Sequence, residues 1–205
     1  MTHFLVTGIV LGLSSGLAPG PLLTLVISET LQHGIKSGVK VALAPIITDL
    51  PIIIVTFFIL AKLSSFHNIL GIISLAGGVF IVFIGYECIR SKGVELNIQK
   101  TPPNSLTKGI VANALNPHPY LFWFSVGAPM MTKAMNIGII ALLAFICSFY
   151  ILLVGSKILL ALFVGKSKSF LVGNTYIYTL RFLGLALCVF ACVLFRDGLK
   201  LLGLI

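Results

Sequence analysis

The strongest constraint on this chain is an apolar run, Phe4 to Ile27, interrupted by Ala18-Pro19-Gly20-Pro21. About 20 apolar residues at helical rise are enough to cross hydrocarbon. A proline inside such a helix removes an amide donor and clashes with the preceding turn, which costs about 3 kcal/mol or more. The carbonyls it frees find no water in a bilayer, so these breaks persist only inside protein or beside a wet cavity. Two prolines flanking a permissive glycine therefore predict a discontinuous helix. Pro21 is suited to open the second piece, because the first helical position needs no amide hydrogen.

Composition decides that the run belongs in a membrane. The 205 residues are 58% hydrophobic and only 9% charged, where soluble domains carry about 25% charge. An all-α integral membrane protein follows, forming a single transmembrane domain. Apolar runs predict six spans near 4–27, 41–60, 69–89, 109–130, 137–156 and 178–195. The net charge of +9 is then a loop signal, and no nucleic-acid partner is expected. Met1-Thr2-His3 lacks a basic leader, so the first run is expected to stay in the mature protein.

A polar stretch at about 91–107, with adjacent Pro102 and Pro103, divides the spans three and three. Basic residues favour the loops after spans one, three and five (Lys36, Lys40, Arg90, Lys92, Lys100, Lys108, Lys166, Lys168) over Lys62, Lys133, Arg196 and Lys200 on the other side. Those loops are expected in the cytoplasm and both termini outside.

The second half echoes the first. Leu115-Asn116-Pro117-His118-Pro119-Tyr120 places another Pro-x-Pro inside the first span of its half, and the next span opens after a glycine in each half, Gly38 or Gly138. Because three is odd, repeat 2 (about 108–205) must run upside down relative to repeat 1 (about 1–90). Inverted repeats are common among secondary transporters. Half-helices beginning at Pro21 and Pro119 would each present unpaired N–H groups and a partial positive charge, suited to a carboxylate. Packing kinks without a ligand are the plainer reading.

Polar residues within the spans extend the candidate site. Asp49 falls roughly 13 Å into span two at helical rise. A carboxylate at that depth is functional by default, as proton carrier or counter-ion to an ammonium. The alternative is a structural hydrogen bond to backbone freed beside Pro45 or Pro51. Asn113 and Asn116 share a helix face just before Pro117, and either line a cavity or satisfy the broken helix. His118 is read as a proton or ligand group, or as a satisfied interior histidine. Glu29 and Glu87 are expected in the solvated interface, and Lys157 either snorkels at a boundary or lines the cavity. Cys88, Cys147, Cys188 and Cys192 lie in apolar segments without a Cys-x-x-Cys pair, as small lipid-compatible side chains. Gly8, Gly12, Gly16 and Gly20, and likewise Gly71, Gly78 and Gly85, form small faces for close helix approach, within the chain or in a homo-oligomer. No hydrolase motif, metal site or cofactor site is expected.

The residues at 19–49 (PGPLLTLVISETLQHGIKSGVKVALAPIITD), 77–92 (GGVFIVFIGYECIRSK) and 108–123 (KGIVANALNPHPYLFW) resemble the LysE/RhtB family of amino-acid exporters. The resemblance implies six helices and export of a small solute coupled to the proton gradient. It carries over Pro19, Gly20, Pro21, Asp49, Asn113, Asn116 and Pro117 as site residues. His118 stands where the family's Asn-x-x-Asn-Pro-Lys segment has lysine. The wider superfamily includes metal-cation exporters and membrane thiol–disulfide electron carriers, which remain as alternatives.

Overall fold

The computed structural model describes residues 2–63, 67–90, 104–166 and 174–204. Most of the expected linker, 91–103, lies outside that set, as do Lys168 and the side chains of Lys62, Glu87 and Cys88. The described chain is helical: α1 (Thr2–Leu17), α2 (Pro21–His33), α3 (Ile35–Ala42), α4 (Ala44–Leu63), α5 (His67–Arg90), α6 (Ser105–Ala114), α7 (Pro117–Phe122), a π-helical turn (Trp123–Gly127), α8 (Ala128–Ile137), α9 (Ile139–Lys166) and α10 (Asn174–Leu201).

Residues Ile35–Ile59 and α9 are each long and apolar enough to cross a membrane. The pair α1 and α2, bent by 60° at its junction, makes a third if counted as one broken span. Several helices outrun their apolar segments, α2 to His33 and α9 to Lys166. Apolar counting sees the hydrocarbon-embedded part of a helix and misses the polar turns beyond it. The outer surface stays apolar: Ile46, Ile47, Leu50, Ile54 and Phe58 of α4 are all exposed, as suits a lipid-facing wall.

Two long pairings organise the fold, α1 along α9 and α5 along α10. The glycine faces explain both. A Cβ added at Gly8, Gly12 or Gly16 would fall 2.1 Å from Ser148 Oγ, 2.4 Å from the Phe149 carbonyl oxygen or 1.9 Å from Ser156 Oγ, all on α9. Gly78 and Gly85 meet Phe195 and Cys188 of α10 in the same way. Both small faces are thus used inside the chain. Gly20 leaves the pattern, with nothing within 4 Å of its added Cβ.

Sharp corners join α2 to α3 and α8 to α9 without a loop. Each turns at a glycine in the region closed to most side chains, Gly34 at φ 86° and Gly138 at φ 147°. The corner expected at Gly38 therefore sits one turn earlier. Gly38 instead lets α3 close on α2, its added Cβ falling 1.9 Å from Thr30 Oγ1. The main core gathers Leu11, Ile81, Phe122, Trp123, Phe145 and Phe149 beneath the two breaks.

Candidate functional site

The first break lies at Ala18–Gly20. Gly20 is fully extended, at φ 174° and ψ 176°, and Pro21 opens α2. Glycine brings no capping side chain, and Pro21 has no N–H. Thr24 N–H closes on the Gly20 carbonyl at 3.0 Å. That leaves the amides of Leu22 and Leu23 as the donors without an intrahelical acceptor. On the other side of the break, Lys157 Nζ from α9 donates to the carbonyls of Ser15 at 3.2 Å and Gly16 at 2.7 Å. A cation thus meets the negative end of α1.

The second break is built differently. It falls at Leu115–Asn116, ahead of both prolines, so α7 opens at Pro117 and not at the expected Pro119. Pro119 sits in the first turn, where a missing amide hydrogen is equally free of cost. Asn116 Oδ1 accepts from His118 N–H at 3.1 Å. Of the first three amide positions of α7, two are prolines and one is capped. The Tyr120 hydroxyl donates to the Ala114 carbonyl at 2.8 Å, covering the end of α6. The two breaks do not present matched positive helix ends; only α2 has uncommitted donors.

Between them lies a cavity of about 110 Å³. That is smaller than the apolar cavity of about 150 Å³ that holds a benzene molecule, which limits any occupant to a small solute. Pro19, Gly20, Pro21, Asp49, Asn113, Asn116, His118 and Pro119 all line it. Pro117 sits at the α7 N-terminus. The ring of His118 stands edge-on to Phe80, centroids 5.8 Å apart.

Asp49 is buried and saturated. Its Oδ1 accepts from Asn113 Nδ2 at 2.9 Å and Thr48 Oγ1 at 3.3 Å, and its Oδ2 from Trp123 Nε1 at 3.3 Å and the Tyr150 hydroxyl at 3.5 Å. An ionised carboxylate has about four acceptor positions, and here α4, α6, the π turn and α9 each fill one. Lys157, 3% exposed, lines the same cavity. It forms no ion pair with Asp49; the ion pairs among the described residues are Glu29–Lys108 and Lys133–Asp197.

The wide π turn supports this arrangement. The Ala128 amide reaches back five residues to the Trp123 carbonyl, and an added Cβ at Gly127 would lie 2.2 Å from the indole. Glycine at 127 therefore makes room for the ring that donates to Asp49.

Sequence reasoning missed Trp123, Tyr150 and Thr48. Thr48 adjoins Asp49, and Tyr150 precedes Lys157 by two helical turns, on the same face of α9. Those spacings were signals, but neither names a partner in another helix. Lys157 lies in the cavity rather than snorkelling. Glu29 corrects a second expectation: it is 1% exposed and accepts from Ser105 Oγ and Lys108 Nζ, each at 2.6 Å. The start of α6 supplies the donors that a solvated interface was expected to provide.

Cys147, Cys188 and Cys192 are free thiols, and none lines the cavity. Among the described residues, no three His, Cys, Asp or Glu side chains group as metal ligands. A family model described as LysE type translocator matches residues 13–198. Neither a curated protein nor a solved structure matches the chain.

Proposed function

The chain belongs to the LysE type translocator family, and we propose that it exports a zwitterionic amino acid across the cytoplasmic membrane in a proton-coupled cycle. Members of the family are multi-pass membrane transporters of small solutes such as amino acids, not enzymes. The observation that carries the finer reading is a cavity holding one carboxylate and one lysine that do not pair with each other.

A zwitterion complements such a site. Its carboxylate would take the Leu22 and Leu23 amides and Lys157, which would leave the carbonyls of Ser15 and Gly16. Its ammonium would approach Asp49 by replacing the Tyr150 hydroxyl, the longest of the four contacts at 3.5 Å. Replacing one donor by another keeps the carboxylate satisfied.

Coupling follows from where the donors originate. Asp49 and Thr48 belong to the first half, whereas Asn113, Trp123 and Tyr150 belong to the second. Protonating Asp49 removes an acceptor from donors already facing it and loosens one half against the other. The paired corners at Gly34 and Gly138, one after each broken span, and the α5–α10 pairing support an inverted repeat rocking around this point. With the linker side in the cytoplasm, an inward proton gains about 2.3 kcal/mol per 100 mV, enough to drive outward accumulation.

Proteoliposome flux with Asp49→Asn tests the reading. Loss of flux driven by a pH gradient is expected, by about 100-fold, since hydrogen bonds to a charged group contribute about 1.5–3 kcal/mol each. Unchanged pH-driven flux in the variant removes Asp49 from the cycle.

A further inference from the structure

The cavity's remaining lining says which solutes fit. Asp49 is the one acid among the lining residues and Lys157 the one lysine, and the backbone charges of a bound zwitterion would use both. What is left for a side chain is an apolar wall of Ile84, Phe122, Phe149 and Leu153, continued by Ala18 and Leu22, with Asn116 and His118 as further polar lining. Phe122 and Phe149 stack at 5.1 Å, and both are buried, so this wall is packed and carries no charge.

We infer that the site selects amino acids with neutral, apolar side chains and excludes those with cationic or anionic ones. The inference rests on the export reading above and narrows its substrate. A lysine side chain would bring a second cation beside Lys157 with no second carboxylate to meet it. A glutamate side chain would bring a second anion with no second lysine, and His118, the other basic side chain of the lining, stands edge-on to Phe80. Burying such a charge without a partner is strongly unfavourable. A branched aliphatic side chain meets only groups that gain from excluding water.

Binding can be read directly, because Trp123 is the only tryptophan in the chain and its indole donates to Asp49. The full-length protein in nanodiscs is titrated with leucine, lysine and glutamate while its fluorescence is followed. Counterflow of the same three in proteoliposomes provides the transport reading. Leucine is expected to bind and exchange, with lysine and glutamate about 100-fold weaker. A preference for leucine above tenfold supports the inference, and lysine or glutamate within tenfold of leucine overturns it. If leucine is inert while lysine or glutamate exchanges, this inference fails and the export reading stands. If none of the three binds or exchanges, the amino-acid reading itself fails. Ile84→Glu, which adds a carboxylate to the apolar wall, should improve lysine relative to leucine at least tenfold. A folded Ile84→Glu protein with an unchanged ranking overturns the electrostatic cause, and the wild-type ranking decides the case if that variant does not fold.

Discussion

The two helix breaks share a Pro-x-Pro sequence and differ in what they leave unpaired. At Ala18–Gly20 a glycine cap supplies no side chain, so α2 keeps the Leu22 and Leu23 amides uncapped. At Leu115–Asn116 the asparagine and two prolines consume the donors of α7, and Tyr120 covers the carbonyl behind it. One break is open chemistry and the other is closed structure. Two positions make that difference: the cap, glycine in one case and asparagine in the other, and the third helical residue, Leu23 against Pro119.

Lys157→Met should give the largest effect on the open break. It uncovers two buried carbonyls at the end of α1 and removes the cavity's cation. Flux should fall about 100-fold, in line with the several kcal/mol lost when one partner of a buried charged contact is removed. Wild-type flux in this variant would mean that Lys157 only caps a helix.

Gly20→Asn makes the first break resemble the second. The backbone there is extended, at φ 174°, and the added side chain meets open space, so the fold should tolerate it. The amide oxygen would take the Leu22 amide, as Asn116 takes that of His118, and the KM for export should rise about tenfold, or about 1.4 kcal/mol. Thermal stability should hold or gain a few tenths of a kcal/mol. An unchanged KM would show that solute does not use the α2 terminus.

Trp123→Phe removes one of the four donors to Asp49 and keeps most of the ring packing. A loss of about 1.5 kcal/mol in stability, the low end for a bond to a charged group, with a shifted pH dependence of flux, is expected. A loss of stability with the pH profile unmoved would assign the indole to packing alone.

The converse swap, Asn116→Gly, opens the second break and should have the smallest effect, a few tenths of a kcal/mol in thermal unfolding. If its transport defect exceeds that of Gly20→Asn, the assignment of open and closed breaks is reversed.

Within the sequence the first break is legible because proline geometry is local: Pro19, Gly20 and Pro21 dictate an interruption whatever surrounds them. Asp49 is legible because a carboxylate in an apolar run is costly without a purpose. Its donors are not legible. Trp123 and Tyr150 stand 74 and 101 residues away along the chain, and each reads by itself as an ordinary aromatic of a membrane helix. The partners of Glu29 are hidden for the same reason, because Ser105 and Lys108 reach it from 76 and 79 residues away. The second half-helix opens at Pro117, two residues before the expected Pro119, because either proline permits a helix to start. The Asn116 cap settles the choice.

Local covalent chemistry thus determined the membrane class, the existence of both interruptions and the presence of an acid within an apolar run, since each depends on residue type and on distance along one helix. Tertiary packing decided which broken end keeps free donors, that Asp49 is held by both halves of the chain, and that Lys157 points inward to Ser15, 142 residues away. Hydrogen bonds between helices depend on which faces meet, and a one-dimensional pattern does not record that.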